Sequence, residues 1–370
     1  MEEIKVRTAG GDYPVSIGRR IYAKVLGTIL EKVNPPKVVI VSHPSIMELH
    51  ASRVEEALRN WIHRGGKAAY FVFPEGEGNK NLHYFEKGLF YLLEKGFTRE
   101  DLLIAFGGGV VGDLAGYLAS SYQRGMRYTQ LPTSLMAMVD SSIGGKVGLD
   151  LPGAKNAVGS FYQPAAVICD TEVLATLPVR ELKSGLAEVV KYGFLYDGQL
   201  LREMRELGVD QEDVLEAATE VVARCVALKA EVVYQDERDL TGKRALLNYG
   251  HTFGHALESA TGYGVLRHGE AVALGMMAAA RASELHGLAE AGLLDMHMEV
   301  LMPLLKGVEM QTYPGLGRIV EDMGKDKKRG RDMRFVLLEG PQRPRLVESL
   351  SLHVAGKALE EIMQRIGEDL

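Results

Sequence analysis

Cysteine is scarce in this sequence, and the two that occur, Cys169 and Cys225, are too few for a disulfide framework. Two thiols in a chain of this length are typical of a protein that folds in a reducing compartment. Long apolar runs are missing as well. Residues 1–6 lack the apolar core of a signal peptide, and no later run is long enough to span a bilayer. These absences predict a cytoplasmic protein.

An excess of positive charge is also absent, since the formal net charge is −6 at pH 7. That balance disfavours nucleic acid or a membrane surface as a partner, whereas a local basic pocket can still bind a small anion. The sequence has neither internal repeats nor low-complexity linkers. What it does have is 370 residues, 46% hydrophobic and 25% charged, which is typical of a well-folded protein too long for one core. We therefore expect two domains.

The first half alternates short apolar, β-rich runs with helical patterns. The strand candidates are residues 37–42, 68–73, 102–106, 128–131 and 166–169, and the helical patterns include 46–64 and 82–95. Such alternation predicts a mostly parallel sheet that is covered on both faces. Two further runs, 4–8 and 13–17, flank Gly10 and Gly11 and predict an added antiparallel hairpin.

After Pro178 the pattern becomes long, rich in Ala, Leu and Val, and helical in period. The helical candidates are residues 181–192, 212–235, 252–260 and 270–286, and a small hairpin is predicted over 333–338 and 345–349. The chain is thus predicted to have an α/β N-terminal domain, residues 1–178, and a mainly helical C-terminal domain, residues 179–370.

Three loops of the first half have residues suited to binding anions. The run Gly107-Gly-Gly-Val-Val-Gly-Asp113 follows a predicted strand and opens a predicted helix, where free N–H groups face a phosphate. A tight strand-to-helix turn would use the same glycines, so both interpretations stay open. Residues 73–80 offer carboxylates and a lysine, and residues 133–146 join hydroxyl groups and paired glycines to Lys146.

The second half concentrates histidine and carboxylate around one segment. His251 and His255 are four residues apart, a spacing that suits a helical metal pair but also ordinary histidines with satisfied hydrogen bonds. Ser184, Glu188 and Lys191 form a polar stripe on an otherwise apolar helix, which faces a site, a partner or water. A metal beside a nucleotide would suit oxidation of a hydroxyl carbon, and the many lysines and arginines suit a phosphorylated substrate.

At these residues the sequence resembles the 3-dehydroquinate synthase family, a group of the sugar-phosphate cyclases. The resemblance covers nearly the whole chain. Its most specific stretches are residues 107–113, 140–146, 185–191, 248–255 and 268–270. It implies a Rossmann-like NAD-binding α/β domain and a mainly helical metal- and substrate-binding domain. It also implies NAD with Zn²⁺ or Co²⁺ as cofactors, a homodimer, and a phosphorylated seven-carbon sugar acid that is oxidised transiently, loses phosphate and closes to a carbocycle.

The resemblance also implies roles for individual residues. The metal ligands would be Glu188, His251 and His268, with His255 as a neighbour instead of a ligand. The NAD contacts would be Glu77, Lys80, Gly108, Gly109, Val110, Asp113, Thr133, Ser134, Lys155 and Thr176. The substrate contacts would be Asp140, Lys146, Asn156, Lys191, Lys229, Arg244, Asn248, His255 and Lys327. Arg124 would reach the phosphate across the dimer interface.

Several alternatives stay open at this point. The late phosphate lysine is either Lys327 or Lys325, and the placement of Lys229 depends on a one-residue length difference over residues 239–243. The nearest rival functions are another sugar-phosphate cyclase and a metal-dependent polyol or alcohol dehydrogenase. A protein of a different class would bind NAD and metal without turnover, but retention of every expected polar residue argues against it.

Overall fold

The computed structural model describes residues 1–262, 264–308, 334–348 and 350–369. Within it the chain forms two compact units. Unit 1 contains residues 1–178 and 215–238, and unit 2 contains residues 179–214 and 239–370. The first break therefore falls where the sequence changes from α/β to helical. Residues 215–238, which the sequence pattern placed in the second domain, group with unit 1 because they form most of one long helix that packs there.

Unit 1 is built on a seven-stranded sheet. Its strands are β1 Glu2–Val6, β2 Tyr13–Gly18, β3 Lys37–Ser42, β4 Lys67–Val72, β5 Leu102–Gly107, β6 Arg127–Pro132 and β9 Ala166–Asp170. Their order across the sheet is β1-β2-β9-β6-β5-β3-β4. Strands β1 and β2 form the antiparallel hairpin, and every other pairing in the sheet is parallel. The order along the sheet reverses between β3 and β5, and such a reversal opens a crevice at the carboxyl ends of parallel strands.

Helices connect these strands: α1 Tyr22–Val33, α2 Pro44–His63, α3 Leu82–Glu94 and α4 Gly109–Ser121. Strands β7 Lys146–Leu151 and β8 Ala154–Phe161 form a separate antiparallel hairpin. A core of fully buried side chains joins the sheet, α4 and β7, and includes Val39, Leu103, Leu114, Leu118 and Leu149. Strand β5 is buried along its whole length, which explains why its sequence is apolar without alternation.

Unit 2 is mainly helical. Its helices are α5 Val179–Leu195, α6 Gly198–Leu207, α8 His251–Thr261, α9 His268–Leu285, α10 Leu293–Leu305 and α11 Leu352–Asp369, and α7 Gln211–Gln235 leads from this unit into unit 1. Strands β10 Phe335–Leu338 and β11 Pro344–Val347 form a small antiparallel hairpin. Helix α9 is buried almost all round, and α5, α8, α10 and α11 pack against it.

Glycines let three chain segments cross at the start of α9. A Cβ on Gly269 would lie 1.9 Å from the carbonyl oxygen of Ser184 on α5, and a Cβ on Gly275 would lie 2.0 Å from that of Gly250. No real side chain tolerates such distances, so both positions require glycine. The N–H of Gly269 also donates to Ser184 Oγ at 2.9 Å. These contacts hold the first residues of α8 and α9 beside the middle of α5.

The predicted fold class is confirmed, with all five parallel strands, the N-terminal hairpin and the C-terminal hairpin present. The sequence pattern did not predict the β7–β8 hairpin, because glycines and short polar residues interrupt its alternation. Lys325 and Lys327 lie outside the described residues. Over the described ranges, none of the helices has the length and apolarity needed to cross a membrane.

Candidate functional site

The glycine-rich run at the end of β5 forms an open cradle at the start of α4. Helix α4 begins at Gly109 with Gly108 as its N-cap, so the first N–H groups, including that of Val110, have no partner within the helix. Cβ atoms on Gly108 and Gly109 would meet the hydroxyl oxygens of Ser134 at 3.4 Å and Ser141 at 3.1 Å. The two glycines therefore leave room for a group that a side chain would crowd. The Thr133 N–H donates to Gly107 O at 3.0 Å, which places the next strand end beside this turn.

A second group of predicted residues meets beside the start of α4. The buried Lys80 ammonium lies 2.6 Å from Glu77 Oε1, 3.2 Å from Asp113 Oδ2 and 3.6 Å from Asp150 Oδ1. It also donates to Asn156 Oδ1 at 2.9 Å, and the Asn156 N–H donates to Asp150 at 2.7 Å. Asn156, expected among the substrate contacts, thus lies with the expected NAD contacts. Dinucleotide-binding folds use a carboxylate near the glycine-rich turn to accept hydrogen bonds from ribose hydroxyls, and this group offers carboxylates beside such a turn.

The charges of this group are strongly coupled. Burial alone would lower the pKa of Lys80, but Asp113, Glu77 and Asp150 outweigh burial and raise that pKa. Burial raises the pKa of Asp113 to about 6, with the charge of Lys80 opposing the rise. Glu77 has a lowered pKa, because Lys80 outweighs the effect of its burial. Three carboxylates thus surround Lys80, and the charge of Lys155 also acts on Glu77.

The other predicted residues of unit 1 are spread over several elements. The buried Lys229 on α7 donates to Asp140 O at 2.6 Å and to Asp140 Oδ1 at 2.7 Å. Lys146 is exposed at the first position of β7, and Lys155 is the second residue of β8. Thr176 Oγ1 lies 2.8 Å from His50 Nε2. Arg124 is exposed on a short turn and has a left-handed φ of 67°.

In unit 2, three helices bring Glu188, His251 and His268 together. Their ligand atoms all lie within 4.8 Å of one another. His251 and His268 open α8 and α9, and Glu188 is buried in the middle of α5. The glycine crossings described above hold these three positions close. The sequence separation from Glu188 to His268 is too long for any local spacing rule to reveal the set.

Both rings present Nε2 to the Glu188 carboxylate, and a hydrogen bond orients that of His251. His251 Nδ1 lies 3.1 Å from the carbonyl oxygen of Tyr249, which can only accept, so Nδ1 carries the hydrogen and Nε2 has the lone pair. That Nε2 lies 3.6 Å from Glu188 Oε1, as does Nε2 of His268. Two imidazole nitrogens and one carboxylate around a single point match the donor set of an open catalytic zinc site. The residues therefore fit a divalent cation.

The protonation states of the two histidines differ. Burial, with help from the Lys191 charge, lowers the pKa of His251 to about 3, so its ring is neutral at pH 7. Burial also lowers the pKa of His268, but hydrogen bonds and charge from Glu188 and Glu258 outweigh burial and raise it to about 9. The ring of His268 therefore holds a proton at pH 7 that a metal would have to displace.

Other charged groups surround this cluster. Lys191, fully buried, pairs with Glu188, and Glu258 Oε1 lies 3.7 Å from His268 Nδ1. His255 belongs to a second group that could hold an ion, with Glu258 and His268. Glu270, close to His268 in the sequence, lies elsewhere: its carboxylate accepts from Arg180 Nη2 at 2.8 Å and from the Arg267 N–H at 2.8 Å.

Arg244 and Asn248 lie on a short helical turn just before Tyr249, with Arg244 buried and Asn248 exposed. Asp150 and Glu258 are the polar residues of these clusters that the sequence pattern missed. Asp150 lies on β7, a hairpin strand that the sequence pattern did not predict, and had no signal of its own. Glu258 is three residues after His255 on the same helix, so the i,i+3 rule predicts that it shares a face with that histidine.

The glycine cradle suits a nucleotide cofactor, and the cluster of two histidines and one carboxylate suits a catalytic metal. Together they define a candidate metalloenzyme that uses a nucleotide cofactor. The family model described as 3-dehydroquinate synthase N-terminal matches residues 70–184, and that described as 3-dehydroquinate synthase C-terminal matches residues 185–329. The 3-dehydroquinate synthase of Vibrio atlanticus is 41% identical over 338 residues, covering 89% of this chain and 90% of that protein. The chain belongs to the 3-dehydroquinate synthase family.

Two solved structures share the fold. A 2-deoxy-scyllo-inosose synthase complexed with carbaglucose-6-phosphate, NAD⁺ and Co²⁺ has a TM-score of 0.84 at 24% identity, covering 97% of this chain and 99% of that one. A 2-epi-5-epi-valiolone synthase from Streptomyces hygroscopicus with NAD⁺ and Zn²⁺ bound has a TM-score of 0.83 at 23% identity, covering 99% of each chain. At these identities the likeness concerns the fold.

Proposed function

We propose that this protein converts 3-deoxy-D-arabino-heptulosonate 7-phosphate into 3-dehydroquinate and phosphate. The observation that carries the proposal is the cluster of Glu188, His251 and His268, with the buried Lys191 beside it, in a chain of the 3-dehydroquinate synthase family. The reaction would serve the shikimate pathway and thus aromatic amino acid synthesis. The protein would be a carbon–oxygen lyase.

Glu188, His251 and His268 would hold Zn²⁺ or Co²⁺, as the donor set and the Co²⁺ and Zn²⁺ of the similar structures support. When bound, that cation polarises hydroxyl oxygens of the substrate. Lys191 keeps a positive charge next to Glu188 and would orient a ring hydroxyl. Burial of both side chains excludes water from this pair and strengthens their interaction with each other.

NAD would be held by the cradle of Gly108, Gly109 and Val110 and by the cluster around Lys80. The further contacts would be Glu77, Asp113, Thr133, Ser134, Lys155 and Thr176. Bound NAD supplies a hydride acceptor that is regenerated within each turnover, so no net oxidation results. The carboxylates of Glu77 and Asp113 would accept from ribose hydroxyls, and the helix N-terminus would face the pyrophosphate.

The substrate would be recognised by its carboxylate, its hydroxyls and its phosphate. Lys229 anchors the Asp140 side chain, which would orient a second ring hydroxyl. Cationic groups would pair with the substrate anions in charge-assisted hydrogen bonds. The carboxylate would take Arg244 and Lys229, and the phosphate would take Lys146, Asn248, His255 and Lys327, with Asn156 as a further contact. Most of the rate enhancement would then come from positioning and electrostatics.

The test is turnover of the purified protein with this substrate, NAD and Zn²⁺. We expect equal amounts of phosphate and 3-dehydroquinate, no accumulation of NADH, and loss of activity on chelation. Steady NADH build-up would instead identify a polyol or alcohol dehydrogenase. Turnover only with a different sugar phosphate would identify another cyclase, and no turnover with the metal in place would refute the assignment.

We further propose that the protein works as a homodimer in the cytoplasm, with Arg124 reaching the phosphate of the partner's substrate. The exposure of Arg124 supports this role, because an exposed guanidinium is accessible to a second copy of the chain. Mixed dimers of Arg124→Ala and Lys191→Ala should regain activity, because one of their two sites has neither defect. Failure of mixing to restore any activity would argue against a shared site.

A further inference from the structure

A buried cluster of aromatic rings and one histidine in unit 2 contacts the candidate metal ligand His251 through Tyr249. His297 on α10 has no exposed surface, and its ring stacks on Phe194 with centroids 3.6 Å apart and an interplanar angle of 8°. Tyr249, also fully buried, meets the same histidine edge-on with centroids 5.8 Å apart. Neither residue belongs to the metal, NAD or substrate sets proposed above.

The donor and the acceptor of each hydrogen bond in this cluster can be assigned. His297 Nδ1 lies 2.7 Å from the Leu293 carbonyl oxygen, so Nδ1 donates and Nε2 must accept. The Tyr249 hydroxyl lies 2.7 Å from that Nε2 and donates to it. Burial lowers the pKa of His297 to about 4, which keeps its ring neutral and able to accept at physiological pH. Both polar ends of the histidine are therefore satisfied.

Tyr249 connects this bond to the metal ligand through its own backbone. Its carbonyl oxygen accepts from His251 Nδ1 at 3.1 Å, the bond that turns His251 Nε2 toward Glu188. Between the two residues, Gly250 has a left-handed φ of 80°, and a Cβ there would lie 2.6 Å from Met276 Cγ. Tyr249, Gly250 and His251 thus form a tight turn. The Tyr249 hydroxyl is bonded to His297 at one end of it, and the metal ligand His251 lies at the other.

We propose that His297 and Tyr249 are positioning residues for the metal site: the bond between them holds the Tyr249 carbonyl where it orients His251. The inference rests on the proposed metal site. Packing alone would keep Tyr249 buried, but the hydroxyl bond sets how far the ring and its backbone can rotate. Outer partners of metal-binding histidines fix the tautomer and the ring direction, and their loss typically weakens metal binding about 10–100-fold.

The test measures Co²⁺ binding to the metal-free full-length protein, both the dissociation constant and the visible absorption of the bound ion. Tyr249→Phe removes only the hydroxyl. We expect about tenfold weaker binding and a shifted Co²⁺ spectrum, at the lower end of the range for outer partners because the carbonyl itself remains. His297→Gln keeps an acceptor for the hydroxyl and should retain both properties. His297→Leu removes the acceptor at 2.7 Å and leaves the hydroxyl only the Met276 carbonyl oxygen at 3.4 Å, so it provides the same test if Tyr249→Phe does not fold.

A matched control is Ser283→Ala on α9, which removes a buried bond of the same unit, from the Leu338 N–H to Ser283 Oγ at 3.1 Å. It should lower thermal stability without changing Co²⁺ binding. Two results would overturn the positioning role. One is that Ser283→Ala changes Co²⁺ binding as much as Tyr249→Phe does. The other is that Tyr249→Phe and His297→Leu both keep the wild-type spectrum and affinity. If His251→Ala binds Co²⁺ as the wild type does, the proposed metal site itself is wrong, whatever Tyr249→Phe does.

Discussion

Replacing Glu258 by Gln should change how many protons a metal displaces from this protein. The Glu258 carboxylate lies 3.7 Å from His268 Nδ1, and with Glu188 it raises the pKa of His268 to about 9. A metal that binds at Nε2 must therefore release one proton at pH 7. His251, with a pKa lowered to about 3, releases none. Gln at position 258 keeps an oxygen that can accept from Nδ1 but removes the charge.

The size of the effect follows from the distance. Two unit charges 3.7 Å apart interact by about 4 kcal/mol at an effective dielectric constant of 20. At about 1.36 kcal/mol per pH unit, this energy is equivalent to a change of about three in the pKa. The pKa of His268 should then fall below neutrality in the variant. In the wild type the metal affinity should rise about tenfold per pH unit from pH 6 to 8, whereas the variant should show almost no dependence above pH 7.

Calorimetric titration of the metal-free protein in two buffers of different ionisation enthalpy counts these protons directly. We expect about one proton released at pH 7 by the wild type and close to none by Glu258→Gln. Glu181→Gln is the control, because that carboxylate pairs with Arg267 at 2.9 Å instead of with a ligand. A release of one proton by both variants, or of none by the wild type, would refute the electrostatic account of this site.

Three further predictions concern the ligands, the lysine cluster and the helix crossing. His251→Ala should lose the metal, whereas His255→Ala should keep it and lose turnover; metal content and rate on both variants decide this. Lys80→Met removes the ammonium that pairs with Glu77, Asp113 and Asp150 and should lower the unfolding free energy by about 3–5 kcal/mol. The control Lys87→Met, at an exposed position, should lower it by less than about 0.5 kcal/mol. The unpaired carboxylates of Lys80→Met should bind protons in the folded state, so the loss of unfolding free energy relative to the wild type should shrink as the pH falls toward 5. A loss that does not depend on pH would contradict the account. Gly269→Ala places a Cβ 1.9 Å from a backbone oxygen and should prevent folding of unit 2, while Gly27→Ala on α1, with nothing within 4 Å, should gain about 0.5–1 kcal/mol; denaturant melts compare them.

The sheet of unit 1 was predictable because its signals are local. Strand β5 is an unbroken apolar run followed by glycines, and strands β3 and β4 alternate with helices of ordinary length. The hairpin of β7 and β8 was not predictable, since its strands contain Gly148 and Gly159, which suggest a loop. There each glycine lies against the opposite backbone, where a Cβ on Gly159 would meet Val147 O at 2.2 Å. Only the partner strand explains that choice.

The candidate site was predictable in its parts and not in its grouping. The spacing of His251 and His255 indicated a metal pair, but the structure places His251 with Glu188 and His268 and groups His255 with Glu258 and His268. The family resemblance already implied the first set, and its role as the metal site stays a prediction until metal content is measured. Asn156, for which the resemblance implies a substrate contact, accepts from Lys80 in the structure, and its role toward substrate stays a prediction.

The sequence by itself determined the fold class, the change to helix near Pro178, the glycine cradle after β5 and the family, because periodicity, glycine runs and motif order are properties of neighbouring residues. Only the tertiary structure decided which groups meet across long separations: Lys80 with Asp150, Lys229 with Asp140, and His251 with Glu188. It also decided that the His251 ring is neutral and the His268 ring protonated at pH 7. Burial and nearby charge set a pKa, and both depend on helices that cross at glycines, far apart along the chain.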